Sequence, residues 1–225
     1  MAVVFAGERG AFGELAAVEY FGSKVRTSAV PEFSDVFEAV ARGKASFGLI
    51  PIENSMAGSI HQNYDLLLEH NLFIVGEILL RVSHFLIANK GTTRKNIQRI
   101  YSHPQALAQC KNFLSGLPDV ERVAVSNTAF AVKQIKQEKA RDAAAIASMQ
   151  AAIDYDMAVL AHNIEDNKFN TTRFLVLSRT PAKKSRRGET FKTSIVFSAK
   201  DIPGALFKAL SVFSLRDINL LKIES

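Results

Sequence analysis

The stretch Phe47 to Ile52, Phe-Gly-Leu-Ile-Pro-Ile, is almost wholly apolar and gives way at once to Glu53, Asn54, Ser55, Met56, Ala57 and Gly58. A strand with no polar side in its two-residue period has to be covered on both faces, which is the habit of a buried strand in a parallel sheet. Such a sheet needs helices on its two sides, so this one run points to a layered α/β fold. A polar cluster at the carboxyl end of a strand of this kind lies where open α/β sheets bind ligands. Glu53, Asn54 and Ser55 have an equally good reading as turn and capping residues.

The rest of the chain repeats the alternation. Residues 2–6 read as a strand, 7–13 as a glycine-punctuated turn, 14–20 as a helix, and 25–30 as a second strand. The turn lacks the G-x-G-x-x-G spacing of a dinucleotide site, although glycines at a helix start let backbone N–H groups approach an anion. Ser34 is expected to cap a helix over 34–42, and Ser59 one over 59–69. Residues 72–88 suggest two strands, a natural place for the chain to pass from one lobe to another. Beyond them come strands at 97–101, 122–125, 143–146 and 157–160, separated by helices at 104–114, 128–137 and 148–154.

With 225 residues, 48% of them hydrophobic, the chain has enough apolar side chains for a sizeable core. No apolar run reaches membrane-spanning length and the start lacks a secretory pattern, so neither a membrane partner nor export is expected. One cysteine, Cys110, permits no internal disulfide and no thiolate metal site, and a reducing, cytoplasmic setting follows by default. The net charge of +6 would suit nucleic acid, but residues 178–192 hold six basic side chains against Glu189 and so carry +5 of it. A basic run beside Pro181 and Gly188 reads as a solvated linker, with no nucleic-acid motif around it.

Two junctions hold candidate chemistry. In Ser102-His-Pro-Gln-Ala-Leu-Ala-Gln-Cys110, Ser102 and Gln105 fit a capping box and Pro104 the first helical turn. Gln105 and Gln109, four apart, share a helix face, so two amides and a hydroxyl could converge on a cleft. His103 and His162 lack ligand-spaced partners. In Asn170-Thr-Thr-Arg-Phe174, strand alternation puts Asn170, Thr172 and Phe174 on one face and Thr171, Arg173 and Leu175 on the other. Taken alone, this stretch reads first as an edge strand with a solvated arginine.

Together these motifs resemble the prephenate dehydratase family, with its close relative arogenate dehydratase, over essentially the whole chain. The Gly-Glu-Arg-Gly-Ala-Phe turn, residues 48–67, 102–110, 144–148 and 170–174 occur in the family's order and spacing. The resemblance implies two α/β lobes similar to type 2 periplasmic-binding folds, lobe 1 at about 1–77 plus 170–178 and lobe 2 at about 78–169. A basic linker, 179–191, and an incomplete βαβ segment of a regulatory ACT domain, 192–225, would follow. The implied reaction is loss of water and CO2 from prephenate to give phenylpyruvate, or from arogenate to give phenylalanine, with no cofactor and no metal.

By the same resemblance Thr172, Glu53, Asn54 and Gln109 would be catalytic, with Thr172 donating to the departing hydroxyl. Ser55, Ser102, Arg173, Gly10, Ala11, Phe12 and Thr171 would bind substrate, Arg173 having a structural ion pair as its other reading. Gly13 stands where the family often has a hydroxyl residue, which shifts that contact to backbone. Gly204, Ala205, Leu206, Glu224 and Ser225 would belong to the phenylalanine effector site, which breaks off after Ser225. A homodimer is implied, and a chain without a competent feedback site is expected. The rival readings are a two-lobed sensor without turnover and a module that assembles through its unfinished tail.

Overall fold

The computed structural model describes residues 2–182 and 191–224. They fall into two compact units, divided near residue 184. The first begins with β1 (Ala2–Ala6), α1 (Phe12–Phe21), β2 (Arg26–Val30), α2 (Phe33–Ala41), β3 (Phe47–Asn54), the two-residue β4 (Gly58–Ser59), α3 (His61–Glu69) and β5 (Phe73–Arg81). It continues with β6 (Phe85–Ala88), β7 (Arg99–Ser102), α4 (Pro104–Gln109), α5 (Lys111–Ser115), β8 (Glu121–Ala124), α6 (Thr128–Gln137), β9 (Ala143–Ala147), α7 (Met149–Asp154), β10 (Ala158–Ala161) and β11 (Thr171–Ser178).

Two mixed sheets result, one ordered β2-β1-β3-β11-β5 with β4 on β3, the other β10-β6-β9-β7-β8. They make two lobes. The chain leaves the first after β5 and returns through β11, which lies antiparallel between β3 and β5. The first sheet runs to Arg81, four residues past the boundary near 77 suggested by sequence. The buried run 47–52 is parallel to β1 on one side but antiparallel to β11 on the other, because the returning strand fills the place a further βα unit would take. One apolar cluster joins the lobes, with Phe5 and Val176 from the first and Ile87, Val132 and Ala145 from the second. Smaller clusters lie under α2 and under α4.

The helix starts expected from serines are made otherwise. Glu32 and Asp35 form a reciprocal capping box for α2, leaving Ser34 inside the helix. Ile60 precedes α3, and Ser59 belongs to β4. The expected helix 104–114 is two helices broken at Cys110. There the Gln109 carbonyl accepts from the Asp166 N–H at 2.7 Å, and the Asp166 carboxylate accepts from the Asn112 N–H at 3.0 Å. A tertiary contact thus takes over bonds that a continuous helix would have made.

In the second unit α8 (Ala205–Ser214) forms, entered from Gly204 at φ 79°. The two strands of the expected βαβ segment are absent from the described residues. Isolated strands without ladder partners are not stable, and none is supplied there. Leu206 is exposed, and Glu224 pairs with Lys222 at 3.0 Å. Ser225 and residues 183–190 of the basic linker lie outside the described residues.

Candidate active site

The site is built where β3 ends and β11 begins. Their register sets Thr172 opposite Asn54 and Arg173 opposite Glu53, so the two pairs occupy opposite faces of the sheet. Asn54 Nδ2 donates to Thr172 Oγ1 at 2.9 Å and to Asn170 Oδ1 at 2.8 Å. Asn54 Oδ1 accepts from the N–H groups of Met56 and Ala57, both at 3.0 Å, and from Gln105 Nε2 at 3.3 Å. Asn54 and Asn170 are buried, and Thr172 keeps 8% of its surface. Buried amides hold their position only when both ends are satisfied, which these are.

The second lobe contributes α4. The face shared by Gln105 and Gln109 turns toward the strand ends, as its four-residue spacing suggests. Asn170 Nδ2 donates to Gln109 Oε1 at 2.9 Å, and the same oxygen lies 2.9 Å from His84 Nε2. A row of side chains, Thr172, Asn54, Asn170, Gln109 and His84, therefore runs from one lobe to the other. Beside it opens a cleft of about 350 Å3, lined by Met56, Gln105, Gln109, Glu165, Asp166 and Asn170 among others.

His84 and Glu165 sit on the two segments that cross between lobes. The His84 N–H donates to Glu165 Oε2 at 2.9 Å, its carbonyl accepts from Ile164, and Val82 N–H donates to the Asn170 carbonyl at 2.8 Å. Arg81 lies 3.5 Å from the other Glu165 oxygen. The crossings are therefore tied together at the wall of the cleft, which Glu165 also lines. Neither His84 nor Glu165 stands out in sequence, because neither belongs to a spaced motif and they are 81 residues apart.

Other expected site residues are placed differently. Glu53 and Arg173 lie 3.4 Å apart, with Glu77 3.6 Å from the guanidinium, on the face away from Thr172, which is the structural ion-pair alternative. A shallower depression of about 220 Å3 gathers Glu53, Ser55, Thr171 and Arg173 there. The Ser55 hydroxyl accepts from the Thr171 N–H at 3.0 Å and donates toward the Phe169 carbonyl. Ser102 has no exposed surface, and its hydroxyl donates to the Ile146 carbonyl at 2.6 Å. The capping box expected for Ser102 and Gln105 is replaced by His103, whose Nδ1 accepts from the Gln105 N–H at 3.2 Å. The His162 ring packs edge-on to Phe85.

The first loop reaches the site through backbone and one ring. The Gly10 N–H donates to Glu14 and its carbonyl accepts from Ser148 Oγ at 2.6 Å, so both backbone groups of Gly10 are used internally. Ala11 precedes α1 without a side-chain cap, which leaves the N–H groups of Phe12 and Gly13 as the helix's open donors. The Phe12 ring meets His84 edge-on with centroids 5.6 Å apart. A side chain at Gly13 would press on Phe5 Cβ at 3.3 Å, a local reason for glycine there.

Burial pushes the His84 imidazole below its ordinary range, against the opposing pull of its Gln109 hydrogen bond and of the Glu165 charge. Burial does the same to His103. A base depressed in the folded state binds fewer protons there than when unfolded, so its contribution is complete above the ordinary value near 6.5. It is lost as pH falls from that value toward the depressed one. Urea midpoints taken at pH 7 and pH 5 should therefore fall, and His84→Gln should narrow the difference.

Two α/β lobes with crossing segments and a polar cleft define a two-lobed α/β binding or catalytic protein. The family model described as prephenate dehydratase matches residues 3–182, and the chain belongs to that family. It is 52% identical over 225 residues to arogenate dehydratase/prephenate dehydratase 2, chloroplastic, from Arabidopsis thaliana, covering 99% of this chain and 58% of that protein. The chain thus spans less than two thirds of the length of this curated relative. Among solved structures, a prephenate dehydratase from Arthrobacter aurescens in complex with L-Phe superposes with TM-score 0.88 at 30% identity, over 100% of this chain and 75% of that one. A protein described as GqqA, a novel type of quorum quenching acylase, gives TM-score 0.89 at 34% identity, over 100% and 80%. Among the described residues no helix is long and apolar enough to cross a membrane.

Proposed function

We propose that this chain is a lyase of phenylalanine biosynthesis that converts prephenate to phenylpyruvate, CO2 and water. The observation that carries the reading is the Asn54 to Thr172 hydrogen bond. Asn54 occupies a lone pair of the threonine oxygen, which leaves the hydroxyl proton to donate outward and polarises it. In the reaction the ring carboxylate leaves as CO2, its bonding electrons enter the ring, and the ring hydroxyl departs with a proton as water. Aromatisation drives both departures, so the protein has to orient the substrate and assist the leaving hydroxyl. Thr172 is the donor to that oxygen, acting through a hydrogen bond that strengthens as negative charge develops on it. Gln109, with its oxygen already engaged, offers an amide N–H to a substrate carboxylate, and the Phe12 and Gly13 N–H groups offer two more. Neutral donors hold a carboxylate in place without overstabilising the one that must depart.

Arogenate differs from prephenate by an amino in place of a keto group, and the plant relative at 52% identity carries both names. Side-by-side turnover of the two compounds decides between them, and no turnover of either would defeat the proposal. An acylase reading, prompted by the GqqA likeness, needs a nucleophile. Cys110 is a poor one, since it is buried and its thiol is pushed up to about 12, chiefly by burial. Cys110→Ala should keep prephenate turnover within about twofold, as expected of a buried apolar site outside the chemistry.

The partner that goes with this reading is a second copy of the chain, in a homodimer; L-phenylalanine is the effector of the intact family, and a solved relative is described in complex with it. Gly204, Ala205, Leu206, Glu224 and Ser225 are the candidate effector positions. A reducing, cytoplasmic compartment suits the single buried thiol.

A further inference from the structure

Resting on that reading of the cleft, we infer that His84 is a positioning residue: its Nε2–H anchors Gln109 Oε1 and so turns the Gln109 amide N–H groups toward the substrate. The N–H groups of Met56 and Ala57 can only donate, so the Asn54 atom facing them is its oxygen. Asn54 Nδ2 then faces Asn170, which must answer with Oδ1, and this turns Asn170 Nδ2 toward Gln109. Gln109 answers with Oε1. That oxygen is also the atom 2.9 Å from His84 Nε2, so the ring nitrogen there has to carry the proton.

Each reversal along this row would set two donors or two acceptors against each other in a buried place. The protonation of His84 Nε2 is therefore dictated by two backbone amides that lie 28 and 27 residues earlier in the chain. Nδ1 is left as the unprotonated nitrogen, and it is buried without a hydrogen-bond partner among the described residues. The neighbours of the ring are consistent with a support. The His84 backbone N–H and carbonyl are held by Glu165 and Ile164, while burial and the edge-on Phe12 ring crowd the rotation of the imidazole. Gln109 has three side-chain torsions and sits at the break between α4 and α5. Two donors converging on Oε1 hold it where one would leave it free to pivot.

Two measurements test this. In the full chain with nitrogen-15 histidine, the ring signals lost in His84→Gln identify His84, and their pattern near pH 7.5 should show Nε2 protonated and Nδ1 bare. The Nδ1–H form would overturn the inference whether or not the protein turns over prephenate. In turnover assays His84→Phe, which keeps a flat ring without a donor, should lower kcat/KM for the accepted substrate by about 10- to 100-fold, as misplacing a substrate-orienting group does. His84→Gln can donate from its own Nε2 and should restore most of that loss. In a Gln109→Ala background His84→Phe should cost less than about twofold, because the group it positions is gone. Equal losses in the two backgrounds would mean a general structural role and would overturn the inference.

Discussion

Replacing Thr172 with valine should lower kcat for the accepted substrate by about 100- to 1,000-fold and change KM by less than about threefold, the signature of an interaction made mainly in the transition state. Valine keeps the branched shape, so the strand is not disturbed, and it removes the one hydroxyl. Stability should fall by only about 1 kcal/mol, near the net worth of one hydrogen bond. The reason is local. Asn54 Nδ2 retains Asn170 Oδ1 at 2.8 Å and the Thr171 carbonyl at 3.2 Å as acceptors, so losing Thr172 leaves no orphaned donor. Thr172→Ser, which keeps the hydroxyl, should stay within about tenfold of the parent, the cost being a freer rotamer. A valine variant with kcat within threefold of the parent would remove Thr172 from the chemistry.

Gly10→Ala should be a strongly damaging small change, lowering stability by about 3 kcal/mol and the melting temperature by about 6–12 °C. Gly10 has φ 82°, and a Cβ there would stand 2.5 Å from Ala151 Cα, 2.8 Å from its nitrogen and 2.9 Å from its Cβ. Those atoms are the start of α7 in the other lobe, held by the Ser148 hydroxyl, which also donates to the Gly10 carbonyl. No side-chain rotation relieves the contact, so the lobes must move apart and the row linking Thr172 to His84 must stretch. Gly91→Ala separates strain from crowding, because Gly91 has φ 86° but nothing within 4 Å of the added carbon. It should cost about 1 kcal/mol, the ordinary left-handed penalty. Equal melting temperatures for the two variants would show that the lobe contact at Gly10 carries no stability of its own.

Strand and helix order was largely legible because the apolar periods are clean. The run 47–52 had to be a buried strand, and the helix 128–137 and the two strands within 72–88, one in each sheet, follow from periodicity alone. Helix starts were less legible, because any Ser can cap locally while tertiary neighbours decide which residue does. Ser34 lost that place to the Glu32 and Asp35 pair, and Ser102 to His103. The two strands expected of the βαβ segment failed for another reason. Their composition favours extension, but a strand is made by its neighbours, and the described residues offer it none.

The site divides along the same line. Strand alternation separates Thr172 from Arg173, and helix spacing aligns Gln105 with Gln109, so a single chain of letters already implies which side chains can act together. Local geometry has a period and sequence displays it. The partners across the fold have no such signature. Asp166 breaks a helix at Cys110, Glu53 takes up Arg173 on the far face of the sheet, and His84 and Glu165 come together from 81 residues apart to tie the lobes at the wall of the cleft. The sequence by itself determined the α/β alternation, the polar strand ends and the placing of Thr172 and Arg173 on opposite strand faces. Only the tertiary structure decided which amides point which way, because a hydrogen bond's direction is set by the whole row of donors and acceptors it belongs to, and that row exists only once both lobes have met.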